Sequence, residues 1–263
     1  QGNYQVLSWD NYVNDQQLIN LVDLALVSNQ DLKIASLRIH EAQAAYGIQR
    51  AELFPNIGGN AGMERNHVPA DLSYVGREMT TSQYSVGLGM NQWELDLWGR
   101  IRSLNEAALQ QFFAVESNVQ AVRNSLIQQT VLSYLTLSEL DKRIYFAQRS
   151  VQNYEKSVRL FKRRYEVGAS SKVEYMQAKT MLSNGQALVT QLEKSRALTA
   201  NYLVQLVGQP TSLHQTDLDQ VTFKTGVLHT GLPSDLLLNR ADIRASEAML
   251  KSKHANINAA RAA

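Results

Sequence analysis

The stretch of sequence that decides the fold is residues 137–171, LSELDKRIYFAQRSVQNYEKSVRLFKRRYEVGASS. Its apolar residues recur at alternating steps of three and four, at Leu137, Leu140, Ile144, Ala147, Val151, Tyr154, Val158, Phe161 and Tyr165. This a/d spacing is typical of a helix that buries one narrow stripe, including its tyrosines and phenylalanine, against a partner helix. Gly168 suits the left-handed residue that ends a helix, and Ser171 with Glu174 predicts a capping box that begins the next one. The stretch therefore predicts one arm of a helical hairpin and its exposed tip, near residues 166–171.

Both arms of the predicted hairpin, residues 98–207, are long. No glycine or proline occurs between Gly99 and Gly168, and at about 1.5 Å per residue one helix there would be on the order of 100 Å long. We expect the second arm to contribute Met181, Leu188, Leu192, Tyr202 and Leu206, with Gly185, Ser195 and Thr199 as small positions. Because the second arm is shorter, a further helix predicted at residues 31–53 is expected to stack on it and complete the cover of the first arm.

Two strands of alternating pattern are predicted at about residues 55–66 and 82–92. In the first, apolar or small residues alternate with polar ones at Ile57, Gly59, Ala61 and Met63; in the second they do so at Tyr84, Val86, Leu88 and Met90. Strands of about ten residues with this period are typical of outer-membrane barrels, so the second set is predicted to face lipid. Trp93 and Trp98 follow where an interfacial aromatic belt would fall. The pattern alone leaves open a soluble hairpin packed on a helix.

Composition argues against a catalytic or nucleic-acid-binding protein. The chain has 263 residues, a formal net charge of +2 and no cysteine, which gives no strong attraction to nucleic acid and excludes thiolate ligands. The five histidines are dispersed, and the only cluster that resembles a set of metal ligands is His214 with Asp217 and Asp219. It lies in an irregular polar stretch that predicts a solvated loop rather than a metal site. There is no phosphate-binding loop and no nucleophile elbow. We therefore expect no catalytic residue, no metal and no cofactor, and a transmembrane helix is not predicted either.

An internal repeat is predicted near the end of the chain. Residues 242–262 align with residues 31–51 at one constant offset, with identities at Asp31/Asp242, Ala44/Ala255, Arg50/Arg261 and Ala51/Ala262. This predicts a second copy of the helix–strand–strand–hairpin unit. The predicted organisation is an N-terminal equatorial segment (1–30), a first repeat (31–207), an equatorial linker (208–240) and the start of a second, truncated repeat (241–263). The chain is thus expected to be the N-terminal half of a protomer.

Four motifs carry a resemblance to a known family. They are Ala51-Glu52-Leu53-Phe54-Pro55, Trp93-Glu94-Leu95-Asp96-Leu97-Trp98-Gly99-Arg100, Arg164-Tyr165-x-x-Gly168-x-x-Ser171-x-x-Glu174 and Gly231-Leu232-Pro233-Ser234-Asp235-Leu236-Leu237. In order and spread they resemble the TolC-type outer-membrane factor family, most closely its lipoprotein members in tripartite drug-efflux pumps. The sequence departs from the family at Glu174, where Asp is common, and at Arg240-Ala241, where Arg-Pro is common. The lipidated cysteine of those members is absent, so no anchor is predicted.

The resemblance implies a homotrimer in the bacterial outer membrane that extends into the periplasm. Each protomer would give four strands to a twelve-stranded pore above a long helical tunnel. The tip would dock a periplasmic adaptor joined to an inner-membrane pump, and the contact residues carried over are Arg164, Val167, Gly168, Ala169, Ser171 and Glu174.

The fold class expected is mainly α with a small β part, and the function expected is passive efflux of drugs and small molecules. The alternatives are a soluble coiled-coil scaffold or adaptor, a non-functional half-channel and, last, an enzyme with an unrecognised site.

Overall fold

The structure, a computed structural model, describes residues 9, 13–91, 93–213 and 234–263. Its elements are α1 (Gln16–Ser28), α2 (Gln30–Ala51), β1 (Asn56–Val68), β2 (Met79–Asn91), α3 (Arg100–Glu166), α4 (Lys172–Val207), a 3-10 helix (Ser234–Asn239) and α5 (Ala241–Arg261). Two compact units share them, one formed by residues 1–37 and 119–240 and the other by residues 38–118 and 241–263. The expected class, mainly helical with a small sheet, is confirmed. The limits of the predicted repeats remain predictions.

The main core of the first unit lies where α1, α3 and α4 meet. Helix α1 begins at Asp15, whose carboxylate accepts the backbone N–H of Gln17 at 2.8 Å and also the hydroxyl of Tyr134 at 2.6 Å. The buried side chains that form this core are Val13, Leu18, Leu21, Val22, Ala25, Leu32, Leu126, Tyr134, Leu137, Leu203, Leu206 and Val207. Since each large apolar side chain buried stabilises by about 1.5–3 kcal/mol, this cluster anchors the base of the hairpin.

The break between α1 and α2 is tied to the end of α4. Asn29 is buried, its amide donates to the Leu206 carbonyl at 2.9 Å, and its side-chain oxygen accepts the N–H of Leu32 at 2.8 Å. Gly208 ends α4 with φ +78°. A Cβ at that position would lie 2.6 Å from the Ser28 carbonyl oxygen. The three segments therefore meet so closely that only glycine fits.

Along the hairpin, α3 and α4 pack through a seam of mixed large and small residues. Leu140, Ile144 and Leu192 are buried together, and a Cβ on Gly185 would lie 3.0 Å from the ring of Tyr154. The predicted a/d seam of α3 is thus confirmed over its first half. Its tyrosines at 154 and 165 are partly exposed, so the prediction that they are core residues is wrong. The reason is that α4 alone covers only one side of each tyrosine ring and leaves the other side exposed.

The seam predicted for α4 is partly wrong. Leu192 and Leu206 are buried as expected, but Met181, Leu188 and Tyr202 are exposed. The inward positions of the outer half of α4 are Tyr175, Ala178, Leu182, Gly185, Val189 and Leu192. Ala178 and Gly185 occupy two of these inward positions because α3 and α4 approach closely there. Side-chain size is therefore a poor guide to which face of α4 is inside.

The second unit contains the sheet, an antiparallel ladder that pairs Asn56 with Asn91 and continues to Val68 with Met79. The other elements of this unit are helical. In α5 the buried residues are small and recur every three or four positions, at Ala248, Ser252, Ala255 and Ala259. Grooves lined by both α3 and α5 lie beside this stripe. Among the helices that the structure describes, none combines the length and apolar character needed to cross a membrane.

Candidate functional site

The first candidate site is the hairpin tip, which begins where α3 ends at a glycine. Gly168 has φ +76°, and its N–H donates to the Tyr165 carbonyl at 3.0 Å. The Ala169 N–H reaches back to the Arg164 carbonyl at 2.7 Å. These two bonds form a Schellman motif, which satisfies carbonyls that the end of a helix leaves open. The predicted left-handed role of Gly168 is confirmed.

Helix α4 begins with the predicted capping box. The Ser171 hydroxyl accepts the Glu174 N–H at 3.2 Å, and the Glu174 carboxylate accepts the Ser171 N–H at 2.8 Å. The Ser170 hydroxyl donates to the same carboxylate. Hydrogen bonds from the Ser170 hydroxyl and the Ser171 N–H, with the nearby Arg164 charge, lower the pKa of Glu174. The side chains of Ser171 and Glu174 therefore stabilise the turn through hydrogen bonds.

The surface around this turn is apolar and basic. Val167 is 78% exposed, and Val173 and Met176 are exposed beside it. Beneath them Tyr165 stacks on Tyr175 with ring centroids 6.1 Å apart. Cations outnumber carboxylates over the last turns of α3 and the first turns of α4, at Lys156, Arg159, Lys162, Arg163, Arg164, Lys172 and Lys179 against Glu155, Glu166 and Glu174. A partner would meet an apolar centre with a positive rim.

All six residues that the sequence assigned to the tip lie on this exposed turn, but they do different work. Gly168, Ser171 and Glu174 shape the backbone, while Arg164, Val167 and Ala169 present side chains at the surface. Sequence reasoning missed Val173 and Met176. The signal for them is that they are apolar and yet lie off the line of inward positions on α4.

The second candidate site is the apolar face of the ladder. The register sets Ile57, Gly59, Ala61 and Met63 opposite Met90, Leu88, Val86 and Tyr84, so both predicted apolar sets lie on one face. Val86 is 87% exposed and Leu88 is 86% exposed. The opposite face carries small and polar groups, since a Cβ on Gly62 would touch the Ser85 hydroxyl and one on Gly87 would touch the Asn60 amide. A continuous exposed apolar face of this kind marks contact with lipid or protein.

The junction between β2 and α3 is held by two ion pairs that sequence reasoning did not predict. Arg100 donates to both carboxylate oxygens of Glu94. The Asp96 carboxylate accepts the N–H groups of Ile101 at 3.2 Å and Arg102 at 2.9 Å, and the Arg102 guanidinium at 3.2 Å. Desolvation raises the pKa of Asp96, but these hydrogen bonds outweigh it and the pKa is lowered. A charged Asp96 at the start of α3 also favours the helix dipole.

The two tryptophans at this junction differ in their surroundings. Trp98 is 83% exposed, whereas Trp93 is 39% exposed. They follow β2 at the end of the ladder nearest the helices, where the chain enters α3. Their predicted place in an interfacial belt stays a prediction.

No residues in the described parts of the chain form a metal-binding cluster. Three or more His, Cys, Asp or Glu side chains do not converge anywhere within residues 13–91, 93–213 and 234–263. The group of His214, Asp217 and Asp219 lies outside the described residues.

A strand pair with one exposed apolar face, followed in the chain by a long helical hairpin, is typical of a class, the outer-membrane channel fold. The model of the family described as outer membrane efflux protein matches residues 21–209. The chain belongs to this family, which confirms the resemblance drawn from its motifs.

Curated relatives and solved structures agree with this membership. The chain is 35% identical over 260 residues to the toluene efflux pump outer membrane protein TtgC of Pseudomonas putida, a match that covers 97% of the chain and 53% of TtgC. It is 34% identical to outer membrane protein OprJ of Pseudomonas aeruginosa, over 98% of the chain and 54% of OprJ. The open-state MtrE outer membrane channel of Neisseria gonorrhoeae superposes with a TM-score of 0.81 at 33% identity, over 97% of the chain and 57% of MtrE.

The chain spans about half the length of the curated relatives that it matches. The match over about half of each relative fits one structural repeat of two in the outer-membrane channel fold.

Proposed function

We propose that the chain forms part of the wall of a passive outer-membrane efflux channel for drugs and other small molecules. The observation that carries this proposal is the two-faced ladder, which continues directly into the long helical hairpin. The polar face, with its glycines and asparagines, would line a wet lumen, and the apolar face would meet lipid. A conduit of this kind supplies no energy and works by shape.

The facing of individual residues follows from that proposal. Tyr84, Val86, Leu88 and Met90 would contact acyl chains, and Trp93 and Trp98 would lie at the interface nearer the helices. Each strand has 13 residues, which at about 3.4 Å per residue and a tilt near 45° spans roughly 30 Å along the membrane normal. This is enough to cross the apolar band of an outer membrane.

The ladder cannot stand alone in a membrane, which supports assembly into a larger barrel. Within the described residues it has two strands and therefore two edges with unpaired backbone groups. Open edges are not tolerated in hydrocarbon. We infer that residues 31–207 form one repeat, that a second repeat adds two strands, and that three protomers close a twelve-stranded pore.

The tip is proposed to dock a periplasmic adaptor, itself joined to an inner-membrane pump. Support comes from the exposed apolar centre at Val167 and Val173 and from the surrounding excess of basic side chains. An adaptor surface with apolar residues and carboxylates would complement it. Charge reversal at Arg164 would then weaken binding more than charge reversal at Arg149, which lies several turns away on α3.

Dye accumulation tests the conduit. In cells whose outer-membrane efflux channel is this protein, an ethidium-type dye should accumulate less than in cells without it. Accumulation equal to that of the cells without the protein, while trimers are present in the outer membrane, would refute the proposal. Recovery of the folded protein from the soluble fraction without detergent would favour the soluble scaffold instead.

A further inference from the structure

Charged side chains are sorted between the two faces of the ladder beyond the apolar band. On the apolar face the rung of Met63 and Tyr84 is followed by Arg65 opposite Ser82, and then by His67 opposite Thr80. All four of these polar residues are exposed. The face therefore changes from apolar to basic and hydroxylated within one rung.

Hydrogen bonds confirm on which face these groups lie. Nδ1 of His67 and the Thr80 hydroxyl are 3.0 Å apart, so these two side chains share a face. On the other face the Asn66 amide donates to the Glu64 carboxylate at 3.1 Å. Within the described part of the chain, no carboxylate lies within ion-pair distance of Arg65. Its sequence neighbour Glu64 points to the opposite face and cannot neutralise it.

The position of the basic rungs fits the headgroup layer of a membrane. Arg65 lies two residues past Met63, which is about 7 Å along a strand and roughly 5 Å along the normal at a 45° tilt. This end of the ladder leads into the turn at residues 69–78, away from α2 and α3. If the helices extend into the periplasm, as the proposed function requires, the basic rungs lie at the outer leaflet.

We propose that Arg65 and His67, with the hydroxyls of Ser82 and Thr80, bind the phosphate groups of phosphorylated glycolipids in the outer leaflet. A guanidinium donates two parallel hydrogen bonds to a phosphate, and the hydroxyls add neutral donors beside it. Tyr84, one rung closer to the membrane centre, would lie against the sugar and the first acyl carbons. The ligand is a lipid because the basic rungs continue the apolar face without interruption, so one amphiphile satisfies both. This inference rests on the lipid-facing assignment of the proposed function.

The test is lipid binding to the protein purified from outer membranes, delipidated in mild detergent and titrated with diphosphoryl lipid A in native mass spectrometry. A basic residue near an anionic lipid surface contributes about 1 kcal/mol, so Arg65→Gln should weaken binding about fivefold. The double variant Arg65→Gln with His67→Gln should weaken it further. The matched control, Arg65→Gln with Asn66→Arg, keeps the net charge but moves it to the other face, and it should bind as weakly as Arg65→Gln alone.

Each arm separates one explanation from another. Equal binding by wild type and both glutamine variants would overturn the proposal, as would wild-type affinity in the charge-moved control. Equal affinity for lipid A without its phosphates would overturn it too. Displacement of lipid A by millimolar inorganic phosphate would show a simple anion site in place of a lipid-binding surface. If the wild-type protein fails to reach the outer membrane, the proposed function itself is wrong and this inference falls with it.

Discussion

Replacing Leu88 with aspartate tests the facing of the ladder most directly. Leu88 lies on the apolar face opposite Gly59, between the rungs of Val86 and Met90, and its exposure shows that nothing in the chain covers it. A charged side chain at the lipid face of a barrel costs on the order of 2 kcal/mol near the midplane. That is about a 30-fold shift in the insertion equilibrium of one chain.

In a trimer the penalty occurs three times, so Leu88→Asp should remove roughly 6 kcal/mol from the assembled barrel. Val86→Asp should behave similarly. The matched control is Gly89→Asp, which places the same charge on the next residue and the opposite face. A Cβ on Gly89 meets nothing within 4 Å, so the control adds no steric clash.

The assay is the fraction of the protein in outer membranes that migrates as a trimer on an unheated gel, normalised to total protein. We expect the trimer fraction to fall severely for Leu88→Asp and to stay close to wild type for Gly89→Asp. Normal trimer yield with Leu88→Asp would refute the facing, and so would an equal loss with both variants.

Three further predictions concern the helices. Gly208→Ala should destabilise the fold by about 2 kcal/mol or more. A non-glycine residue in the left-handed region costs about 1–2 kcal/mol, and the added Cβ would also press on the Ser28 carbonyl. Thermal unfolding followed by circular dichroism measures the loss of stability. The folded-state pKa of Glu174 is lowered, so its stabilisation of the tip is present above the ordinary pKa of glutamate and is lost as pH falls through the folded-state value. The protection of the tip amides against hydrogen exchange, measured relative to the intrinsic exchange rate at each pH, should therefore fall on acidification in wild type. Glu174→Gln should show no such fall. Asp141→Asn leaves the part-buried Arg196 guanidinium without its carboxylate. The free energy of unfolding should fall by about 1–2 kcal/mol, less than for a fully buried ion pair because solvent partly screens this one. An unchanged melting temperature would contradict that reasoning.

The hairpin and strands could be predicted from sequence because their signals are local. Leu140 and Ile144 lie on a helical period that needs no knowledge of the partner. The turn chemistry of Gly168 and Ser171 is equally local, and the structure forms the bonds that it predicts. Alternation along each strand likewise assigned a face without knowledge of the register.

The remaining contacts depend on distances in space that one sequence does not encode. Asp15 bonds Tyr134 and Asn29 bonds Leu206 across separations of 119 and 177 residues. The choice between Met181 and Ala178 for the seam of α4 depends on how closely α3 approaches, and the smaller residue is inside. Hydrophobicity does not separate the two faces, because the inward line holds the small Ala178 and Gly185 as well as Leu182 and Leu192.

The predicted internal repeat would account for the apolar surface that is left uncovered on the helices. The buried residues Ala255 and Ala259 of α5 correspond, at the offset of the repeat, to Ala44 and Ile48 of α2, which are exposed. Conversely, Ile257 of α5 is exposed where its counterpart Tyr46 on α2 is partly buried. Each helix therefore carries two apolar stripes, and the chain covers a different one in each copy. A helix with an apolar stripe on each side would suit the closed wall proposed above, in which the uncovered stripe would pack against a helix of the proposed second repeat or of another protomer.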